Sequence, residues 1–275
     1  MNQINEARTR IHRMKNYIFR NQLIFILTIG ISVWNSFSLQ AGETDNIPEA
    51  QEKGYEAERH GDYAKAIKWY KKDSLNGDPA GSTSIGSFYA KGLGVPQDFK
   101  EAMKWFLKGA KQGGTFSERN IGLCYANGSG VTQDYKEAMK WLLKAAAKGD
   151  GLSQFHIGFF FENGLGVDRD YQKAMKWYKD AAEKYEDIAS YHIGQMYQLG
   201  HGVPIDFKKA MEFYLKAEKQ ENPNAEHSIG FLYASGLGIE KNKKEAMKWY
   251  QKATTHKKND WGNKYIDELG SKSVK

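Results

Sequence analysis

The string KEAMKW occurs three times in this chain, at residues 100–105, 136–141 and 244–249, with a near copy, QKAMKW, at 172–177. A series of glycines keeps the same 36-residue period: Gly86, Gly122, Gly158, Gly194 and Gly230. An active site is built once, whereas a unit that stacks on copies of itself is built many times. The repetition therefore predicts a solenoid in place of a single globular domain.

Each repeat predicts a pair of α-helices. In the repeat that begins near residue 80, Ile85, Phe88 and Tyr89 recur at helical spacing, and Ala102 and Trp105 do the same in a second segment. The string between them, GLGVPQD, opens with a glycine, the residue that commonly ends a helix in the left-handed conformation. We expect N-caps at Asp98, Asp134, Asp170, Asp206 and Asn242, with capping boxes completed by Glu101, Glu137 and Glu245.

The repeat pattern also predicts the interior. Gly86 and its equivalents should lie where the two helices of a hairpin cross, and Trp141 should be fully buried at a hairpin centre. Cys124 is the only cysteine, so no internal disulfide can form. It stands where other repeats have apolar residues, which favours a small core residue over a reactive or metal-binding thiol.

The repeats resemble the Sel-1-like repeat family, relatives of the tetratricopeptide repeat. Five strings carry the resemblance: IGSFYAKGLGVPQDFKEAMKWFLKGA, IGLCYANGSGVTQDYKEAMKWLLKAA, IGFFFENGLGVDRDYQKAMKWYKDAA, IGQMYQLGHGVPIDFKKAMEFYLKAE and IGFLYASGLGIEKNKKEAMKWYQKAT. The resemblance implies an all-α fold, a right-handed α-solenoid of helical hairpins.

The domain organisation follows from these landmarks. We expect a tetratricopeptide-like first repeat at 49–77, where Gly61 and Asp62 replace the longer glycine loop. Five Sel-1-like repeats should follow at 78–113, 114–149, 150–185, 186–221 and 222–257. Residues 258–275 should form a capping helix and tail, because Trp261, Tyr265 and Leu269 are spaced four apart.

The first 41 residues have the layout of a secretory signal, followed by a linker at 42–48. A basic stretch precedes the uncharged run LIFILTIGISVW at 23–34, which as a helix would reach about 18 Å and fall short of a bilayer core of about 30 Å. We predict cleavage near Ala41 and a periplasmic or secreted protein. The alternative is an inner-membrane anchor formed by residues 17–39.

The net charge is +7, from 40 basic and 33 acidic side chains, and much of this excess lies in the N-terminal segment. We therefore predict no nucleic-acid partner. Contact with a membrane is expected only if the N-terminal segment is retained.

The family resemblance implies that the first helix of each hairpin lines a concave groove. The positions expected to face that groove are unusually apolar in the middle repeats, which predicts a surface that binds a peptide or protein segment. Arg119 would pair with an acidic group of the partner. The alternative is that some of these side chains only seal the joint between repeats. The predicted partner-binding residues are Phe116, Arg119, Leu123, Leu152, Phe155, Phe159, Tyr191, Gln195 and Phe231.

The sequence favours a non-enzymatic protein–protein interaction scaffold without a cofactor. His156 and His192 are one period apart, but two histidines make a poor zinc site, and a partly buried, hydrogen-bonded role is the simpler prediction. One alternative is a hydrolase of β-lactams or cell-wall material, as described for cysteine-rich family members whose paired cysteines this chain lacks. Another is a secreted effector that acts on host proteins.

Overall fold

The computed structural model describes residues 49–255, apart from the side chain of Glu186. This part of the chain contains twelve α-helices and no strand. The helices are α1 (Glu49–Arg59), α2 (Tyr63–Leu75), α3 (Pro79–Lys91), α4 (Phe99–Lys111), α5 (Thr115–Asn127), α6 (Tyr135–Ala147), α7 (Gly151–Asn163), α8 (Tyr171–Ala182), α9 (Glu186–Leu199), α10 (Phe207–Glu218), α11 (Pro223–Ser235) and α12 (Lys243–Thr255). They confirm the prediction of an all-α repeat fold. The predicted signal peptide, linker and capping helix lie outside the described residues.

The odd-numbered helices are the first helices of the hairpins and the even-numbered ones the second helices. Most first helices end on the first glycine of the connecting string, as predicted. Gly92, for example, has φ +70° and its backbone N–H donates to Phe88 O. The same left-handed conformation occurs at Gly128, Gly164, Gly200 and Gly236. Glycine adopts it without the steric cost that a Cβ atom brings.

The predicted N-caps of the second helices are confirmed, but the capping boxes are not formed. Asp98 Oδ1 accepts hydrogen bonds from the backbone N–H groups of Lys100 and Glu101. The backbone N–H of Asp98 donates to Tyr89 O at 2.9 Å. Because this donor is already used by the preceding helix, Glu101 instead pairs with Lys104 Nζ at 2.7 Å.

Within each hairpin, a glycine of the first helix meets a large side chain of the second, as predicted. A Cβ atom on Gly86 would lie 2.6 Å from the ring of Phe106, and one on Gly194 would lie 2.7 Å from the ring of Tyr214. The prediction that Trp141 is fully buried is wrong. Trp141 is half-buried, and the next residue, Leu142, is the one with 0% exposure.

Successive hairpins share continuous apolar clusters. One cluster joins Ala57, Ile67 and Phe88 from three successive helices, with Trp105 packed against it. The second glycine of the connecting loop makes a further contact between repeats, because a Cβ atom on Gly94 would lie 2.6 Å from Tyr63 Cβ. The loop of one repeat therefore rests on the second helix of the repeat before it.

The contacts divide the chain into two compact units, an N-terminal unit that ends at Ser153 and a C-terminal unit that begins at Gln154.

Candidate interaction surface

Seven of the nine predicted partner-binding side chains lie in the interior. Leu123 is the most exposed of them at 8%, and the others are Arg119, Leu152, Phe155, Phe159, Tyr191 and Phe231. Phe116 and Gln195 are half-buried. Burial favours the alternative that the apolar members seal the joints between helices. Their role in partner binding stays a prediction, and Phe116 and Gln195 are the two with accessible surface.

In the N-terminal unit, the acidic group that pairs with Arg119 belongs to the chain itself. Arg119 Nη1 donates to Asp150 Oδ2 at 2.6 Å, and both side chains are less than one-tenth exposed. The other carboxylate oxygen, Asp150 Oδ1, accepts from the backbone N–H of Ser153 at 2.7 Å and so caps the start of α7. The guanidinium carbon also lies 5.0 Å from the ring centroid of Phe116. Arg119 is thereby held in place without a partner molecule.

The C-terminal unit contains a buried polar cluster centred on Glu162. Tyr178 donates its hydroxyl to Glu162 Oε2 at 2.7 Å, and His192 Nδ1 lies 3.4 Å from the same oxygen. His201 Nδ1 lies 3.9 Å from Glu162 Oε1. Burial acts to raise the pKa of Glu162, but the hydrogen bonds from the two histidines and Tyr178 outweigh it and hold that pKa below its ordinary value. The carboxylate therefore stays ionised inside the unit.

Aromatic rings enclose His192 on several sides. Its ring centroid lies 5.2 Å from that of Phe155, 5.0 Å from that of Tyr178 and 5.5 Å from that of Tyr191. The side chain is only 5% exposed. A general base must reach a substrate, so an imidazole packed in this way serves the structure. His192 is hydrogen-bonded as predicted, but it is more deeply buried than the partial burial expected from sequence. Among residues 49–255, no group of three or more ligand-type side chains could hold a metal ion.

Sequence analysis missed Asp150 and Glu162, although a signal for Glu162 was present. Equivalent positions in other repeats hold Ala90, Ala126 and Ala234, so a glutamate there departs from the repeat. Cys124, in contrast, behaves as predicted: it is 7% exposed, and burial raises the pKa of its thiol to about 12. A thiol with this pKa is inert near neutral pH.

Comparison with known families agrees with the repeat pattern. The family model of the Sel1 repeat matches residues 49–78, 83–114, 115–150, 151–185, 187–222 and 223–256. The chain belongs to the Sel1 repeat family. The matched stretches include 49–78, where the short connection at Gly61 suggested a tetratricopeptide-like unit.

Two of the solved structures that are similar to this Sel1 repeat protein share about a third of its sequence. A Sel1 repeat protein from Oxalobacter formigenes is 35% identical with a TM-score of 0.70, over 74% of this chain and 84% of that one. The second is c5321, a protective antigen present in uropathogenic Escherichia coli strains, which is 29% identical with a TM-score of 0.66. That match covers 92% of this chain and 50% of c5321, so the chain spans half the length of that protein. No curated protein matches the sequence.

Sel1 repeats generally mediate protein–protein interactions and typically serve as non-catalytic scaffolds. In this member, most first-helix side chains are buried, whereas the second helices carry much of the accessible surface. Leu107, Leu143 and Leu215 on the second helices are 37%, 43% and 40% exposed. Every described helix is too short or too polar to cross a bilayer.

Proposed function

We propose that this Sel1 repeat protein is a non-enzymatic scaffold that binds a protein or peptide segment along its first helices. The observation that carries the proposal is that buried polar side chains of the chain pair with one another. Arg119 is paired with Asp150, and Glu162 is held by Tyr178 and His192. These groups, which could serve catalysis if they were accessible, are instead committed to the fold, and this supports surface recognition as the function.

Phe116 and Gln195 are the proposed contact residues. Each is half-buried on a first helix, Phe116 in the N-terminal unit and Gln195 in the C-terminal unit. Phe116 presents an aromatic ring whose position is fixed by the Arg119 guanidinium. Gln195 donates from its side-chain nitrogen to Tyr191 Oη at 2.8 Å, which orients its amide. Rigid aromatic and amide groups of this kind are suited to peptide recognition.

The protein is also proposed to act outside the cytoplasm of a bacterium, because residues 1–41 have the pattern of a secretory signal. N-terminal sequencing of the protein recovered from cell fractions tests this. A new N-terminus near residue 42 in the periplasm or medium supports export with cleavage. An intact N-terminus in the membrane fraction supports the anchor formed by residues 17–39, and an intact N-terminus in the cytoplasm rejects export.

Affinity capture tests the proposed binding. The immobilised chain is incubated with envelope extract, and the retained proteins are compared between wild type, Phe116→Ala and Leu107→Ala. Truncating an interface anchor typically costs about 2 kcal/mol of binding, or about thirtyfold in affinity. We expect Phe116→Ala to lose a specific partner that Leu107→Ala retains, with unchanged circular dichroism. Loss in the Leu107 variant alone would place the partner on the second helices and reject the proposal.

A further inference from the structure

The second helices of the N-terminal unit, α2, α4 and α6, share a pattern of lysines that the binding proposal does not use. Each carries a lysine just before its tryptophan and another four residues later. These six residues, termed the basic face, are Lys68, Lys72, Lys104, Lys108, Lys140 and Lys144. Side chains four residues apart lie on the same side of a helix. Lys108 is half-buried and the other five are exposed.

Packing brings the three helices of the basic face next to one another. Trp105 of α4 packs against the cluster that contains Ile67 of α2. Trp141 of α6 packs against the cluster that contains Met103 of α4. Because the sequence period is constant, the lysines of one helix stand in the same register as those of the next. The result is two columns of positive charge along one side of the unit.

Four of these six lysines, including all three of one column, form no ion pair within residues 49–255. Glu101 and Glu137 pair with Lys104 and Lys140, each at 2.7 Å. Among residues 49–255, no carboxylate lies within ion-pair distance of the other column of lysines. Their ammonium groups sit instead over tryptophan rings: Lys72 is 4.3 Å from the Trp69 centroid, Lys108 is 5.2 Å from Trp105 and Lys144 is 4.0 Å from Trp141.

The repeat itself does not require this pattern. In the C-terminal unit, Asp180 stands at the position of Lys144 and Glu212 at the position of Lys140. Neither acidic side chain is buried, so helix packing accepts either charge at these positions. The uninterrupted array of lysines is confined to the N-terminal unit.

We propose that the basic face docks the protein on a bilayer surface rich in anionic phospholipids. Evenly spaced cations match a surface whose negative charge is spread over many headgroups better than they match one acidic side chain. Half-buried tryptophans beside the lysines, with exposed Leu107 and Leu143 on the same helices, add the amphipathic groups that favour the headgroup region. The contact requires no membrane-spanning segment. It is therefore independent of whether residues 17–39 are retained.

Vesicle co-sedimentation tests the proposal with the full chain. The vesicles contain phosphatidylcholine alone or phosphatidylcholine with about one-third phosphatidylglycerol, in about 0.1 M salt, where the Debye length is about 10 Å. Each lysine near an anionic surface strengthens binding about fivefold. We expect Lys108→Glu/Lys144→Glu to weaken binding to the anionic vesicles by about tenfold or more. Raising the salt to about 0.5 M should release the wild-type protein.

A matched control separates the basic face from net charge. Lys176→Glu/Lys216→Glu makes the same charge change in the C-terminal unit, at the repeat positions of Lys140 and Lys108, where both lysines are exposed. We expect this control to reduce binding by less than about threefold. Equal loss in both double variants, equal binding of wild type to neutral vesicles, or capture of an acidic protein without binding to lipid would each overturn the proposal.

Discussion

At the scale of single residues, two departures from the repeat, Glu162 and Gln198, are each matched to a buried tyrosine. The hydroxyl of Tyr178 meets Glu162, and one repeat later the hydroxyl of Tyr214 meets Gln198. In the two repeats directly before these, Phe106 and Leu142 replace the tyrosine, and Ala90 and Ala126 stand where the acceptors would be. A buried hydroxyl without an acceptor costs about 1–3 kcal/mol, and in these two repeats the donor and its acceptor appear together.

Asp73 is another departure from the repeat. It is fully buried, whereas the equivalent positions hold Gly109, Ala145 and Ala181. The next hairpin makes room with Gly81, where a Cβ atom would lie 2.9 Å from Asp73 Oδ2. Desolvation, with a smaller contribution from the charge of Asp78, raises the pKa of Asp73 to about 6. The folded state therefore holds the proton of this carboxyl more tightly than the unfolded chain does.

Asp73→Ala should stabilise the protein at pH 7.5. A folded-state pKa of about 6 against a model value of 3.8 means that ionised Asp73 costs up to about 3 kcal/mol above pH 6. That cost falls as the pH drops from 6 towards 4, because the carboxyl is then protonated in the folded protein. Urea unfolding of the wild type and the Asp73→Ala variant at pH 7.5 and pH 4.5 measures this cost. The advantage of the variant should shrink at the lower pH, and an advantage that is absent or independent of pH contradicts the account.

The sequence predicted which residues recur from repeat to repeat, but it did not predict the contacts of residues that depart from the repeat. Cys124 was placed correctly in the interior because its slot is apolar in the other four full repeats. Arg119 was assigned to a partner because its counter-ion, Asp150, lies 31 residues away and is brought close only by folding. Contacts of this type depend on how successive repeats stack, and the sequence of a single repeat does not specify that geometry.

At the scale of elements, sequence chemistry predicted the helix ends well. The left-handed glycine at Gly92 and the N-cap at Asp98 are local features, so local sequence is enough to predict them. The capping boxes failed because the backbone N–H of Asp98 binds Tyr89 O, a contact across the connecting loop. The need for a glycine at the second position of the loop, Gly94, was not predicted, because it arises from the close approach of Tyr63 in the preceding repeat.

The second helices offer a test of where the hairpin core lies. Leu142 is fully buried, and a Cβ atom on Gly122 would lie 2.9 Å from its side chain, whereas neighbouring Trp141 is half-buried. Leu142→Ala should cost about 2–5 kcal/mol of unfolding free energy through the cavity that it leaves. Trp141→Ala should cost less, because solvent already reaches part of the ring.

Urea denaturation of both variants, followed by circular dichroism, measures this difference. A larger loss of unfolding free energy for Trp141→Ala than for Leu142→Ala would show that the tryptophan forms the hairpin core, as expected from sequence alone.

At the scale of the whole molecule, six repeats account for nearly all of the described chain. Periodicity predicted a solenoid of helical hairpins, because stacking lets such hairpins bury their apolar faces, and the family resemblance implied the all-α fold. It did not predict that Phe155 and Phe159 would be only 4% and 3% exposed. Burial depends on how closely successive first helices approach one another, and the spacing of the repeats along the sequence does not report that distance.

This solenoid is proposed to bind a protein through its first helices. A photo-crosslinking amino acid placed singly at Phe116, Gln195, Leu107 or Leu215, in cells that make the protein, tests it most directly. All four positions have accessible surface, and the last two lie on second helices. We predict a discrete protein adduct from positions 116 and 195 and none from 107 and 215. Adducts from the second-helix positions alone would contradict the claim.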